Sequence, residues 1–247
     1  MLMRVIALGS VVGVAGLATG LVDGGAVERE VGGADMGAGM GASGMRAELV
    51  SYLDAREAEF SMIPAERKAQ LEELGAFVRA NASAGTPVRL NFVCTHNSRR
   101  SHMSMLWAAA AAERLGLNVS TYSGGTETTA FNPRAVGAIT RAGFLVEKLS
   151  DDANPVYLVR TGEDATPMVC FSKVYDGAPN PKAGFGAVMV CDSADESCPF
   201  VPGADERFAI TYTDPKVSDG TKAEAETYDE RSRQIAREML YAMMSAR

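Results

Sequence analysis

Cys94 ends the run PVRLNFVC, and the residues after it, THNSRRS, lead into an apolar helical pattern, so Cys, five residues, Arg, Ser falls on a strand-to-helix junction. Backbone N–H groups and a helix N-terminus converge at such junctions with partial positive charge. Thr95, His96, Asn97, Ser98 and Arg99 can therefore loop around a tetrahedral anion while the Arg100 guanidinium clamps two of its oxygens. The field that binds the anion also favours a thiolate, which places Cys94 as a nucleophile toward the bound oxyanion. Ser101 can donate a hydroxyl hydrogen bond to the sulfur, and Asn97 can hold the loop by bonding its backbone. Arg99 reads as a solvated charge that adds to the anion field. His96 and His102 read as loop and helix residues without chemistry of their own.

A tetrahedral anion losing an oxygen needs a proton donor, and Asp214 in ITYTDPK offers one, set after a short apolar strand and steadied by Pro215. The remaining cysteines are Cys170, Cys191 and Cys198. In MVCDSADESCPF, Cys191 and Cys198 flank an acidic segment, with no further ligands at a spacing that suits zinc. They read as a dithiol that opens and closes. If ADES forms a short helix, the two sulfurs lie about 10 Å apart along it, beyond disulfide reach, and closure requires that helix to unwind. Cys170 reads as a buried structural thiol.

The elements that must position these residues alternate. MRAELVSYLDAREAEF and AERKAQLEELGAFVRANA predict two amphipathic helices, with Pro64 near the start of the second. PVRLNFV predicts a strand, SHMSMLWAAAAAERLG a helix, NVSTYSG a strand and NPRAVGAITRAG a helix. GAVMVC predicts a later strand and AEAETYDERSRQIAREMLYAMM a terminal helix. This alternation implies an α/β fold, a doubly wound parallel sheet with extra N-terminal helices over residues 45–82. Residues 150–181 read as loops around short strands such as PVYLV and PMVCF.

The chain of 247 residues carries a net charge of −7 and has no basic run interleaved with aromatics, which argues against nucleic-acid binding. With only two histidines, a His-rich metal site is not available. Residues 1–44 are rich in Gly and Ala without periodicity, so the folded domain is expected over 45–247. Val5 to Val22 has the shape of a signal sequence, with Ala18 and Gly20 as small residues at a cleavage site, or else belongs to an unstructured extension or a start upstream of Met45. It is too poor in Leu and Phe for a stable membrane span.

CTHNSRRS, YSGGTETTAFNPRAV, CDSADESCP and YTDP resemble the thioredoxin-coupled arsenate reductases of the low-molecular-weight tyrosine phosphatase superfamily, from about Leu90 to the C-terminus. The resemblance implies that Cys94 attacks arsenate held by the loop and Arg100, that Asp214 protonates the departing oxygen, and that Cys191 and then Cys198 resolve the adduct. It implies no bound cofactor, thioredoxin or another thiol as reductant, and an insertion of about thirty residues near 155–181. A cycle that needs free thiols belongs in a reducing compartment, the cytoplasm. Two other functions use the same loop: hydrolysis of phosphotyrosine through a phosphocysteine, and non-catalytic oxyanion binding with redox sensing. DPKVSDG lacks the tyrosines with which the phosphatases flank an aryl ring, which favours the reductase.

Overall fold

In a computed structural model, residues 44–198 and 200–247 are described; the readings of residues 1–43 lie outside them. Chain order runs α1 (Ala47–Glu57), α2 (Ala65–Ser83), β1 (Val88–Cys94), α3 (Arg100–Leu115), β2 (Val119–Gly125) and α4 (Pro133–Arg141). It continues with β3 (Leu145–Lys148), β4 (Tyr157–Arg160), β5 (Met168–Cys170), β6 (Phe185–Met189), α5 (Asp192–Ser197), β7 (Ala204–Ala209) and α6 (Glu224–Ser245). Four strands form a parallel sheet in the order β2-β1-β6-β7, as the alternating pattern predicts. The chain steps outward from β1 to β2 and returns to β6 on the other side of β1. With right-handed crossovers this reversal leaves a crevice at the carboxyl ends of β1 and β6, where ligands bind in such sheets.

β1 is buried at six of its seven positions, as a central parallel strand must be, and reads as one apolar run rather than an alternation. α3 buries Met103, Leu106 and Trp107 and ends at Gly116, whose φ of 68° suits only a residue without Cβ strain. α4 begins on Asn132, whose side chain accepts from Arg134 N at 2.9 Å, with Pro133 as its first residue. The N-terminal helices are integral to the core. Phe77 of α2 meets Phe208 of β7 edge-on at 5.6 Å, and Tyr52 of α1 stacks on Trp107 at 5.0 Å. Glu59, after α1, gathers the guanidinium groups of Arg56, Arg233 and Arg237 at 2.7, 2.6 and 3.2 Å, tying α1 to α6.

Around residues 150–181 the two short strands read in the sequence stand as β4 and β5, and they join β3, which the sequence reading missed, in an antiparallel sheet. The strand before Asp214 lies earlier than expected and is charged, since β7 contains Asp205, Glu206 and Arg207. The apolar residues that follow extend beside the exit of β6 through Ile210 N to Met189 O and Tyr212 N to Val190 O, with no ladder of their own. Among the described residues no helix is long and apolar enough to cross a membrane.

Candidate active site

Cys94 is the last residue of β1, and the chain then turns through Thr95–Arg99 before Arg100 opens α3. The carbonyls of this loop face outward onto neighbouring segments. Cys94 O accepts from Thr126 N, Thr95 O from Glu127 N, Ser98 O from Asn132 N and Arg99 O from Met103 N. In a trans peptide the N–H points opposite its C=O, so each of these bonds turns the next amide toward the loop interior. The result is a concave set of N–H donors above the N-terminus of α3, the arrangement that binds a tetrahedral anion. Gly125 makes it possible: a Cβ there would lie 2.4 Å from Glu127 O and 2.7 Å from both Asn97 N and Thr95 O.

Cys94 is buried, 4% exposed, with its sulfur 3.1 Å from Ser101 Oγ. Asn97 Nδ2 donates to that same oxygen at 2.9 Å, which occupies a lone pair and leaves the hydroxyl proton for Cys94 Sγ. Asn97 itself sits at φ 45°, an uncommon conformation for a residue with a side chain. It holds its place through Ser101 and through Lys173 N, which donates to its Oδ1 at 3.0 Å, rather than by bonding the loop's own backbone as expected.

Arg100 donates to Asp214 Oδ2 at 2.8 Å and to Tyr212 O at 2.9 Å, bringing together two residues read separately in the sequence. Asp214 Oδ1 accepts from Lys216 N at 3.0 Å, which fixes the carboxylate at the mouth. Arg99 is not a solvated charge. Its side chain is 14% exposed, donates to the Tyr228 hydroxyl at 2.8 Å and lies 3.5 Å from Asp219. Such shielded, hydrogen-bonded partners hold an arginine in place, so Arg99 ties the loop to α6. His96 is half exposed, with Nε2 3.4 Å from Glu127. His102 is buried against Phe131 at 4.1 Å, and burial, then the Lys173 charge, hold it well below the usual histidine range.

Cys191 lies two residues past β6 and caps α5: its sulfur accepts from Ala194 N at 3.4 Å. The same sulfur is 3.5 Å from Thr95 Oγ1, which sets it beside the residue that follows Cys94. Cys198 stands at the other end of α5 and is partly exposed. Cys198 lies seven positions after Cys191; at 1.5 Å per helical residue, the two thiols are held about 10 Å apart while the helix persists. Arg207 secures that far end by donating to Cys198 O at 2.9 Å and Asp195 O at 2.7 Å. All four cysteines are free thiols.

Cys170 is fully buried at the end of β5, and burial pushes its thiol up to about 12, so it stays protonated. Burial also pushes the neighbouring Lys173 ammonium down to about 8. At pH 7 the folded chain carries this charge at a cost; between pH 8 and 10.5 the unfolded chain holds a proton that the folded chain does not, so this group's contribution to stability rises with pH. Lys173→Met is expected to stabilise the fold at pH 7 by about 3 kcal/mol, a gain that fades toward pH 10.5. Urea unfolding at both pH values measures it; an equal gain at both would place the effect in packing.

The signals that sequence reasoning passed over are Gly124, Gly125 and Lys173. The glycine pair stands in the sequence as YSGG, but what needs the missing side chains is chain far away: a Cβ on Gly124 would lie 2.2 Å from Tyr175 Cα. A cleft of about 310 Å³ adjoins the loop, lined by His96, Ser98, Arg99, Asn132, Pro133 and Lys216 among others, and no Phe, Tyr or Trp lines it.

No family model matches the chain. It is 29% identical to an arsenate reductase of Bacillus licheniformis over 143 residues, 58% of this chain and 84% of that protein. The arsenate reductase of Bacillus subtilis is 28% identical over 142 residues, with the same two coverages. Among solved structures, a low-molecular-weight phosphotyrosine phosphatase from Vibrio cholerae overlaps 64% of this chain and 94% of its own with a TM-score of 0.42 at 15% identity. A thioredoxin-dependent arsenate reductase of Corynebacterium glutamicum overlaps 76% of this chain and 92% of its own with a TM-score of 0.33 at 15% identity. By sequence, the chain is similar to bacterial arsenate reductases.

Proposed function

We propose that residues 45–247, with 45–82 as a helical addition, reduce arsenate to arsenite by a relay of three thiols. The observation that carries this is the placement of Cys191 Sγ 3.5 Å from Thr95 Oγ1, next to the nucleophile, with Cys198 partly exposed at the far end of α5. Arsenate entering the loop competes with Asp214 for the Arg100 guanidinium. It thereby frees the carboxylate, which takes up a proton from solvent and then acts as proton donor. Cys94 thiolate attacks arsenic, an oxygen leaves as water with the proton from Asp214, and a sulfur–arsenic bond forms. Cys191 then attacks Cys94 Sγ; the electron pair of the sulfur–arsenic bond passes to arsenic, which departs as arsenite, and a Cys94–Cys191 disulfide remains.

Cys198 attacks Cys191 next and releases Cys94 as a thiolate, which requires α5 to unwind because the helix holds the two sulfurs beyond bonding distance. The Cys191–Cys198 disulfide, carrying the more exposed thiol, is the one offered to thioredoxin or another dithiol. This cycle needs a reducing compartment, the cytoplasm. The same Cys94, Arg100 and Asp214 suit hydrolysis of a phosphate ester, but the adjoining cleft offers no Phe, Tyr or Trp for an aryl group to stack on.

The test supplies the full chain with thioredoxin, its reductase and NADPH, and follows arsenate-dependent NADPH oxidation and arsenite release beside aryl phosphate hydrolysis. Arsenite made in proportion to NADPH consumed is the expected result. Rapid aryl phosphate turnover without arsenite would identify a phosphatase.

A further inference from the structure

Leaving β5, the chain passes close to the anion loop at residues 171–175, where Ser172 and Lys173 touch it. Ser172 Oγ accepts from Thr129 N at 2.8 Å and donates to His96 O at 2.9 Å. Its own backbone is gripped from both sides by one side chain: Asn154 Oδ1 accepts from Ser172 N at 3.0 Å and Asn154 Nδ2 donates to Ser172 O at 2.8 Å. The next residue supplies the N–H that Asn97 Oδ1 accepts, and Lys173 O accepts from Gly125 N at 2.9 Å. Ser172 is 2% exposed, so these bonds do not compete with water.

The peptide that Ser172 holds is the one between His96 and Asn97. Fixing its carbonyl fixes the direction of the Asn97 N–H, because the two are opposed across a trans peptide. Asn97 occupies the left-handed region, which asparagine tolerates better than most side chains, and its side-chain bonds to Ser101 and Lys173 N hold it there. The Asn97 side chain in turn commits the Ser101 proton to Cys94. We infer that Ser172, carried on the segment inserted between α4 and β6 and braced by Asn154, is a positioning residue of the anion loop. It orients the Asn97 amide toward the anion and, through Asn97 and Ser101, the hydrogen bond to the nucleophile. This rests on reading the loop as an oxyanion site, whichever reaction follows.

The test uses the full chain carrying Cys191→Ser and Cys198→Ser, so that alkylation by iodoacetamide reports on Cys94, since Cys170 is buried and protonated. The rate is measured against pH and against inorganic phosphate, with thermal melting alongside. Ser172→Ala is expected to move the alkylation profile to higher pH and to weaken phosphate protection about tenfold, the effect of losing one buried hydrogen bond that holds a donor in place. Ser172→Thr, which keeps the hydroxyl, restores most of both. If Ser172→Ala does not fold, Asn154→Asp replaces it: it keeps the acceptor for Ser172 N, loses the donor to Ser172 O, and shifts both readouts the same way. A variant that melts earlier yet keeps the parent's pH profile and phosphate protection overturns the inference and leaves the anion site standing. Failure of phosphate to protect Cys94 in the parent overturns the anion site, and the inference with it.

Discussion

Cys191→Ser is expected to lower arsenate turnover about a thousandfold or more, the scale of losing a covalent participant, with thioredoxin, its reductase and NADPH all present. The buried sulfur of Cys191 lies within 3.5 Å of Thr95 Oγ1, so it is the thiol already placed to reach an adduct on Cys94. Serine keeps the cap on Ala194 N and the size of the side chain, so the fold should change little while attack on sulfur is lost. Cys198 is not expected to substitute, because intact α5 holds it at the far end of the helix, about 10 Å from Cys191 along the axis. Mass spectrometry of the variant after arsenate should show no disulfide between Cys94 and Cys198, and NADPH oxidation should fall to background. Turnover at the parent's rate would mean that a thiol in solution resolves the adduct and that α5 has another purpose.

Gly125→Ala is the second large effect. The added Cβ meets only backbone atoms, Glu127 O at 2.4 Å and Asn97 N and Thr95 O at 2.7 Å, so no side chain can rotate away to make room. The loop or the end of β2 must shift instead, at a cost of about 2–3 kcal/mol in stability. A displacement on the scale of 1 Å carries the amide donors away from the anion, and phosphate should protect Cys94 about a hundredfold less well. Urea unfolding and alkylation under phosphate measure the two effects separately. Parent-like protection would show that the loop tolerates the contact and that its amides are not set by this close approach.

What the sequence reveals and what it conceals divide along the range of the interactions. β1, α3, α4 and α6 follow from local periodicity, caps and stops, and they suffice to put Cys94 at a strand end, Arg100 on the helix after it and Pro133 at a helix start. The helix between Cys191 and Cys198 was legible as a condition, since an acidic segment containing alanine tolerates a helix without demanding one. Arg99 read as solvated because its partners, Tyr228 and Asp219, lie more than a hundred residues onward. β7 hid because its core-facing pattern is weak and charges fill its middle. β3 hid because four residues ending in Glu and Lys show no strand signature until β4 pairs with them. The bracing by Ser172 and Asn154 had no local trace at all, since Asn-Pro and Ser-Lys are ordinary loop dipeptides.

The segment that braces the loop also lies at a border of the parallel sheet. β2 and β7 are its outer strands, and an outer strand with unpaired N–H and C=O groups is a template on which another chain can grow. At β2 the segment after β5 takes that place: Gly125 N donates to Lys173 O, Tyr175 N donates to Gly125 O, and Asn180 Nδ2 donates to Ser123 O at 2.9 Å. At β7 the guard is charge, with Asp205, Glu206 and Arg207 in a strand of six. The helix that unwinds in the proposed thiol cycle connects β6 to this same β7. Loosening chain beside a sheet border invites self-association, and a charged outer strand opposes it.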